Sequence, residues 1–88
     1  MRESQIENKC CNWAIAQGWL SFKFTSPANR GVPDRMFICD GEVIFVEFKA
    51  PGEELRPLQQ RVITKIREHG AKVHVCDSAE GFINVMSR

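Results

Sequence analysis

The dipeptide Asp40-Gly41 constrains this chain more than any other feature, because apolar runs flank it at 34–39 and 42–49. An Asp-Gly pair between two such runs predicts a tight β-hairpin, since both turn positions need positive φ. A two-residue turn then sets the pairing. Cys39 faces Glu42, Ile38 faces Val43, Phe37 faces Ile44, Met36 faces Phe45 and Arg35 faces Val46, so that Asp34 falls opposite Glu47. A turn one residue longer or shorter would put Asp34 on the other face. Val43-Ile44-Phe45-Val46 is apolar at every position, which predicts a strand covered front and back.

Opposed side chains in an antiparallel pair have Cβ atoms about 4.5–5.5 Å apart. Two carboxylates held so close repel, and burying one beside an apolar run adds a desolvation cost. A shared proton can offset this. So can a divalent cation, and Mg²⁺ typically takes one or two protein carboxylates plus water and phosphate oxygens. Lys49 lies two residues beyond Glu47, on the same face of the strand. A carboxylate pair with an ammonium beside it suits phosphodiester hydrolysis, with the metal activating water and Lys49 orienting it or stabilising the charged transition state. The same residues also fit a purely structural ion pair between Lys49 and Glu47, with Asp34 merely opening a strand.

The rest of the chain reads as helices and strands around this hairpin. Ser4-x-x-Glu7 fits a capping box, and apolar spacing through Ile6, Cys10, Trp13 and Ala14 predicts a helix over 5–17, stopped by Gly18. Alternation of Leu20, Phe22 and Phe24 predicts a strand over 20–25, and Pro27, Asn29, Gly31 and Pro33 mark a loop over 26–33. A second helix starts at Pro57, carries the stripe Leu58, Val62, Ile63 and Ile66, and ends at His69-Gly70. Arg56 stands at its cap position, where a small polar residue is the usual choice. A strand follows over 72–76, and Asp77 or Ser78 caps a short last helix carrying Phe82, Val85 and Met86. The expectation is an α/β fold in the order α-β-β-β-α-β-α, a mixed sheet flanked by helices with a short C-terminal helix. With 88 residues, 43% of them hydrophobic, the chain makes one domain, 1–88, with enough apolar side chains for a small core. Trp13, Trp19, Phe82 and Met86 serve that core or a subunit interface.

Twelve Lys and Arg stand against eleven Asp and Glu, a net charge of +1, which excludes a coat protein that holds nucleic acid by bulk charge. Local phosphate contacts stay open. Lys23, Arg30 and Arg56 fall near the Asp34 end of the sheet, whereas alternation turns Arg35 to the opposite face. No N-terminal apolar run and no membrane-length apolar stretch occurs, so the expected location is the cytoplasm of a bacterial or phage-infected cell, without secretion or membrane insertion. Cys10, Cys11, Cys39 and Cys76 are then reduced thiols. A zinc site built from His74 and Cys76 is the other use for them, although no C-x-x-C occurs.

Gly31-Val32-Pro33-Asp34, then Val46-Glu47-Phe48-Lys49-Ala50-Pro51-Gly52, then Leu55-Arg56-Pro57-Leu58-Gln59 resemble the successive motifs of VRR-Nuc domains, in the PD-(D/E)XK nuclease superfamily. The resemblance runs from the helix bearing Glu7 to the strand after Gly70. It implies a restriction-endonuclease-like α-β-β-β-α-β core. It also implies that Asp34 and Glu47 bind Mg²⁺ or Mn²⁺, with the Phe48 backbone carbonyl as a further ligand. Lys49 resembles the catalytic lysine, Gln59 the glutamine of the helix beside the site, and Glu7 the acidic residue sent toward the metal, directly or through water. Glu7 also fits the capping box, and the two roles are compatible. Gln59 lies on the apolar side of its helix and needs a polar partner, while Gln60 points to solvent and makes a natural control.

Without a helix-turn-helix or finger motif, the expected substrate is DNA recognised by shape, such as a branch, flap or Holliday junction, as in DNA repair, recombination or phage genome processing. By analogy with small members of the superfamily, two copies act as a homodimer making paired cuts. The competing reading is a non-catalytic nucleic-acid-binding or assembly module that keeps the nuclease fold.

Overall fold

The computed structural model describes residues 2–87; Met1 and Arg88, the ends of the expected domain, lie outside the described residues. Helix α1 spans Glu3–Ala16, strands β1, β2 and β3 span Leu20–Lys23, Arg35–Cys39 and Glu42–Phe48, α2 spans Pro57–Glu68, β4 spans Lys72–Cys76 and α3 spans Ala79–Met86. The element order is the expected one. The strands lie in the order β1-β2-β3-β4.

Asp40 and Gly41 both hold positive φ, 51° and 79°, as a two-residue hairpin turn requires. The β2–β3 register therefore runs from Cys39 opposite Glu42 to Arg35 opposite Val46. Strand β4 pairs parallel to β3, with Val75 opposite Glu47 and Phe48 opposite Cys76. A parallel neighbour needs a crossover connection, and α2 supplies it.

One sheet face is dry. Ile44, Val46 and Phe48 pack there against Ile6, Cys10 and Ala14 of α1 and Phe82 and Met86 of α3. Phe82 sits 5.3 Å from Phe37 and 5.6 Å from Phe48, ring to ring. Trp19, Phe82 and Met86 are all core residues, and Trp13 packs edge-on to Phe82. Burial assigns Trp19, Phe82 and Met86 to packing, while Trp13 is only partly buried against the core.

The other face is only partly covered. Of the stripe Leu58, Val62, Ile63 and Ile66, α2 buries Ile63 alone. Because α2 lies over β4, Val43 remains 40% exposed and Phe45 half-buried. The expectation of a β3 covered on both faces is corrected accordingly.

Helix starts also differ from the sequence reading. α1 begins at Glu3, not at residue 5, and its cap is Arg2, whose N–H donates to Gln5 Oε1 at 2.8 Å. Ser4 and Glu7 form no capping box, because both lie inside the helix. At α2 the same device recurs: the Arg56 N–H donates to Gln59 Oε1 at 2.9 Å. An arginine side chain has no acceptor to offer the first helical N–H groups; the glutamine three residues on accepts instead from the cap residue's own N–H. Ser78, not Asp77, caps α3, with its Oγ accepting from the Gly81 N–H at 3.0 Å.

Candidate active site

The strand ends bring the chemistry together. Asp34 lies one residue before β2, and its carbonyl accepts from the Phe24 N–H at 2.8 Å. Its Oδ2 accepts from the Phe48 N–H at 3.2 Å. Thus Asp34 occupies the place where the β2–β3 ladder stops, and its side chain takes over a ladder bond. The Phe48 C=O leaves the strand on the same side as its N–H, toward Asp34.

Glu47 and Lys49 are almost fully buried, 2% and 4% exposed. Glu47 Oε2 accepts from Gln59 Nε2 at 3.1 Å and lies 3.8 Å from Lys49 Nζ. Glu47 Oε1 is buried and has no hydrogen-bond partner among the described residues. Gln59 thereby spends its oxygen on the start of α2 and its amide nitrogen on Glu47. Gln60 points away, its nearest bond being 3.5 Å to the Leu55 carbonyl.

Burial pushes the Glu47 carboxyl up to about 7, and the charge of Asp34 pushes in the same direction. Asp34 is also raised by burial, against the opposing Phe48 N–H. Two acids held together out of water both resist ionising.

Gly31 fixes the approach of the preceding loop. Its φ is +88°, and a Cβ there would stand 3.1 Å from the Leu58 carbonyl oxygen. The Gly31-Val32-Pro33-Asp34 segment therefore lies directly on the first turn of α2, one residue from Gln59.

Glu7 is buried on α1, and its Oε2 is held by Arg35 Nε at 2.7 Å and Lys23 Nζ at 3.3 Å. Its charge contributes to raising Asp34, yet its bonds go to cations. Among the described residues, no group of three or more His, Cys, Asp or Glu converges as a metal site. Cys10, Cys11, Cys39 and Cys76 are free thiols, and none belongs to such a group among the described residues. Arg30 lies beside α2 and Arg56 is exposed at its cap.

Two acids near the site escape sequence reasoning. Glu3 is raised by burial, by a hydrogen bond with Glu53 and by the charge of Asp34. Glu53 is lowered by the Ala50 N–H, which donates to it at 3.0 Å. The available signal is spacing: Glu3 and Glu7 are four apart on one helix face, a relation that a helix starting at residue 5 conceals.

The fold and this carboxylate–lysine–glutamine arrangement define a nuclease-type domain. A family model described as "VRR-NUC domain" matches residues 22–80. The chain is also 41% identical over 81 residues to "Putative nuclease p44" of Acyrthosiphon pisum secondary endosymbiont phage 1, covering 91% of this chain and 87% of that protein. A solved structure titled "VRR_NUC domain" superposes with a TM-score of 0.88 at 26% identity, covering 98% of this chain and 97% of the other. This chain belongs to the VRR-NUC domain family.

Proposed function

We propose that the protein is a Mg²⁺- or Mn²⁺-dependent DNA endonuclease that cuts branched or otherwise structured DNA and works as a homodimer. One observation carries the metal-dependent reading: the buried Oε1 of Glu47 has no partner among the described residues, while Gln59 holds Glu47 Oε2 and the Phe48 N–H holds Asp34 Oδ2. A buried polar atom without a partner costs free energy, and a hard cation relieves it. Asp34, Glu47 and the Phe48 carbonyl are the residues that would hold the ion. When bound there, Mg²⁺ or Mn²⁺ supplies charge neutralisation at the phosphate and a water of lowered pKa.

The chain's own groups do the rest. The Phe48 N–H fixes the Asp34 carboxylate, and Gln59 fixes that of Glu47. Lys49, held beside Glu47, presents an ammonium that orients the attacking water and stabilises negative charge on the phosphate oxygens. Burial makes that charge stabilisation stronger than it would be in water. Lys23, Arg30 and Arg56 are available for phosphate contacts outside the site, with Lys23 sharing Glu7.

The dimer reading draws on the uncovered sheet face, where Leu20, Phe22 and Val43 are 51%, 49% and 40% exposed. Leu20, Ile38 and Val43 lie side by side across three strands. An apolar face of this kind suits an isologous contact with a second copy.

The test is a cleavage panel of Holliday junction, flap and linear duplex with Mg²⁺, with Mn²⁺ and with chelator. Cutting of branched DNA that needs the metal and vanishes in Lys49→Ala is the expected result. Binding without any metal-dependent cutting would favour the non-catalytic module.

A further inference from the structure

Next to the candidate active site, on the same sheet face, lies a groove of about 770 Å³ that the proposed cleavage chemistry does not use. Phe24 and Phe45 form its floor, their ring centroids 5.3 Å apart. Leu58 and Val62 of α2 form one wall, and these belong to the apolar stripe that the fold leaves unburied. Arg30 and Lys65 stand at the rim, and no Asp or Glu lines the groove among the described residues.

The groove joins the site at three points of the chain. Phe45 precedes Glu47 by two residues on one strand face, Leu58 adjoins Gln59, and Arg30 lies four residues before Asp34. The groove and the site thus share β3, the loop before β2 and the first turn of α2.

We propose that this groove receives unstacked nucleobases of a single-stranded DNA segment that leaves the cleavage site. The assignment rests on the nuclease reading above and adds to it a substrate feature. Aromatic rings offer stacking surfaces that any base can use, and flanking cations track the backbone phosphates. Charge complementarity favours this occupant over a second copy. An isologous contact would press Arg30 and Lys65 against their own equivalents, with no acid in the groove to answer them.

The experiment measures binding of the full chain to a fluorescent ten-nucleotide oligothymidylate and to an abasic strand of equal length and charge. Both are read by anisotropy in chelator, so that no cleavage enters. The oligothymidylate is expected to bind about tenfold more tightly than the abasic strand. Val62→Glu should remove that difference. Thr64→Glu adds the same charge on the exposed side of the same helix and should preserve the difference. Lys65→Glu serves as a second variant if Val62→Glu melts early, and should weaken both strands while keeping a folded melting profile. Equal binding of the two strands by the wild-type chain overturns the proposal. So does equal loss in Val62→Glu and Thr64→Glu. A wild-type dimer that Val62→Glu dissociates, as read by sedimentation, overturns it too, because a second copy would then fill the groove. Metal-dependent cutting of duplex DNA that persists alongside equal strand binding would leave the nuclease reading standing while this proposal falls.

Discussion

At the scale of single residues, the burial of Glu47 has a direct consequence. Its carboxyl is pushed up to about 7 from an ordinary value of 4.5, burial being the main cause. A raised carboxyl pKa means that the folded chain holds a proton the unfolded chain gives up. The stabilisation this brings is complete below about pH 4.5 and is lost as pH rises through about 7. In chelator, the melting temperature should therefore fall between about pH 4.5 and 7 and level off above that range, and Glu47→Gln should flatten that fall. A divalent ion should restore the wild-type melting temperature at pH 8. A wild-type profile as flat as that of Glu47→Gln would show that Glu47 ionises freely.

Gln59 gives a second prediction at this scale. Its side chain joins the start of α2 to Glu47. Gln59→Ala should lower cleavage by about 10–100-fold, as removal of an outer partner of a metal ligand commonly does, with some loss of helix stability. Gln60→Ala, one residue away and exposed, should leave both unchanged. Equal effects of the two substitutions would remove the orienting role.

At the scale of elements, the hairpin was legible because its turn chemistry leaves little choice. Asp40-Gly41 demands positive φ twice, and every pairing then follows. The placement of Asp34 against the end of β3 was legible for the same reason. Helix starts were harder to read. Ser4 and Glu7 have the spacing of a capping box, but Gln5 and Gln59 each supply an acceptor to a cap residue whose side chain has none. Residue preferences describe side chains at the cap itself, so a cap served by the third helical residue leaves little trace.

The loop before β2 offers its own test. Gly31→Ala would force a Cβ to within 3.1 Å of the Leu58 carbonyl oxygen at a φ of +88°. A strained left-handed residue alone costs about 1–2 kcal/mol. The variant should melt several degrees lower and cut more slowly, because the loop carries Asp34 and the helix carries Gln59. A variant as stable and active as the wild type would show that this approach is not needed.

At the scale of the whole molecule, a net charge of +1 understates the phosphate-binding potential of one end. Glu3, Asp34, Glu47 and Glu53 influence one another there, so acids collect at the site while Arg30 and Lys65 rim the neighbouring groove. Composition sums over this separation and hides it. The incomplete cover of the sheet was also illegible. A stripe on α2 and alternating apolar strands look the same whether the helix lies across the middle of the sheet or over its β4 edge. Only the tertiary placement of α2 over β4 leaves Leu20, Phe22 and Val43 uncovered. If a second copy covers them, Val43→Lys should convert a sedimenting dimer to a monomer and reduce paired cutting of a junction. An unchanged sedimentation profile would place the dimer contact elsewhere.

The most direct test of the nuclease centre separates metal binding from chemistry. Mn²⁺ binding, followed by the loss of the free-ion electron paramagnetic resonance signal, should be seen with the wild-type chain and with Lys49→Ala. It should be lost with Asp34→Asn and with Glu47→Gln, while only the wild type cuts DNA. Mn²⁺ binding that survives both carboxylate substitutions, or cutting that survives Lys49→Ala, would contradict the assignment of the site.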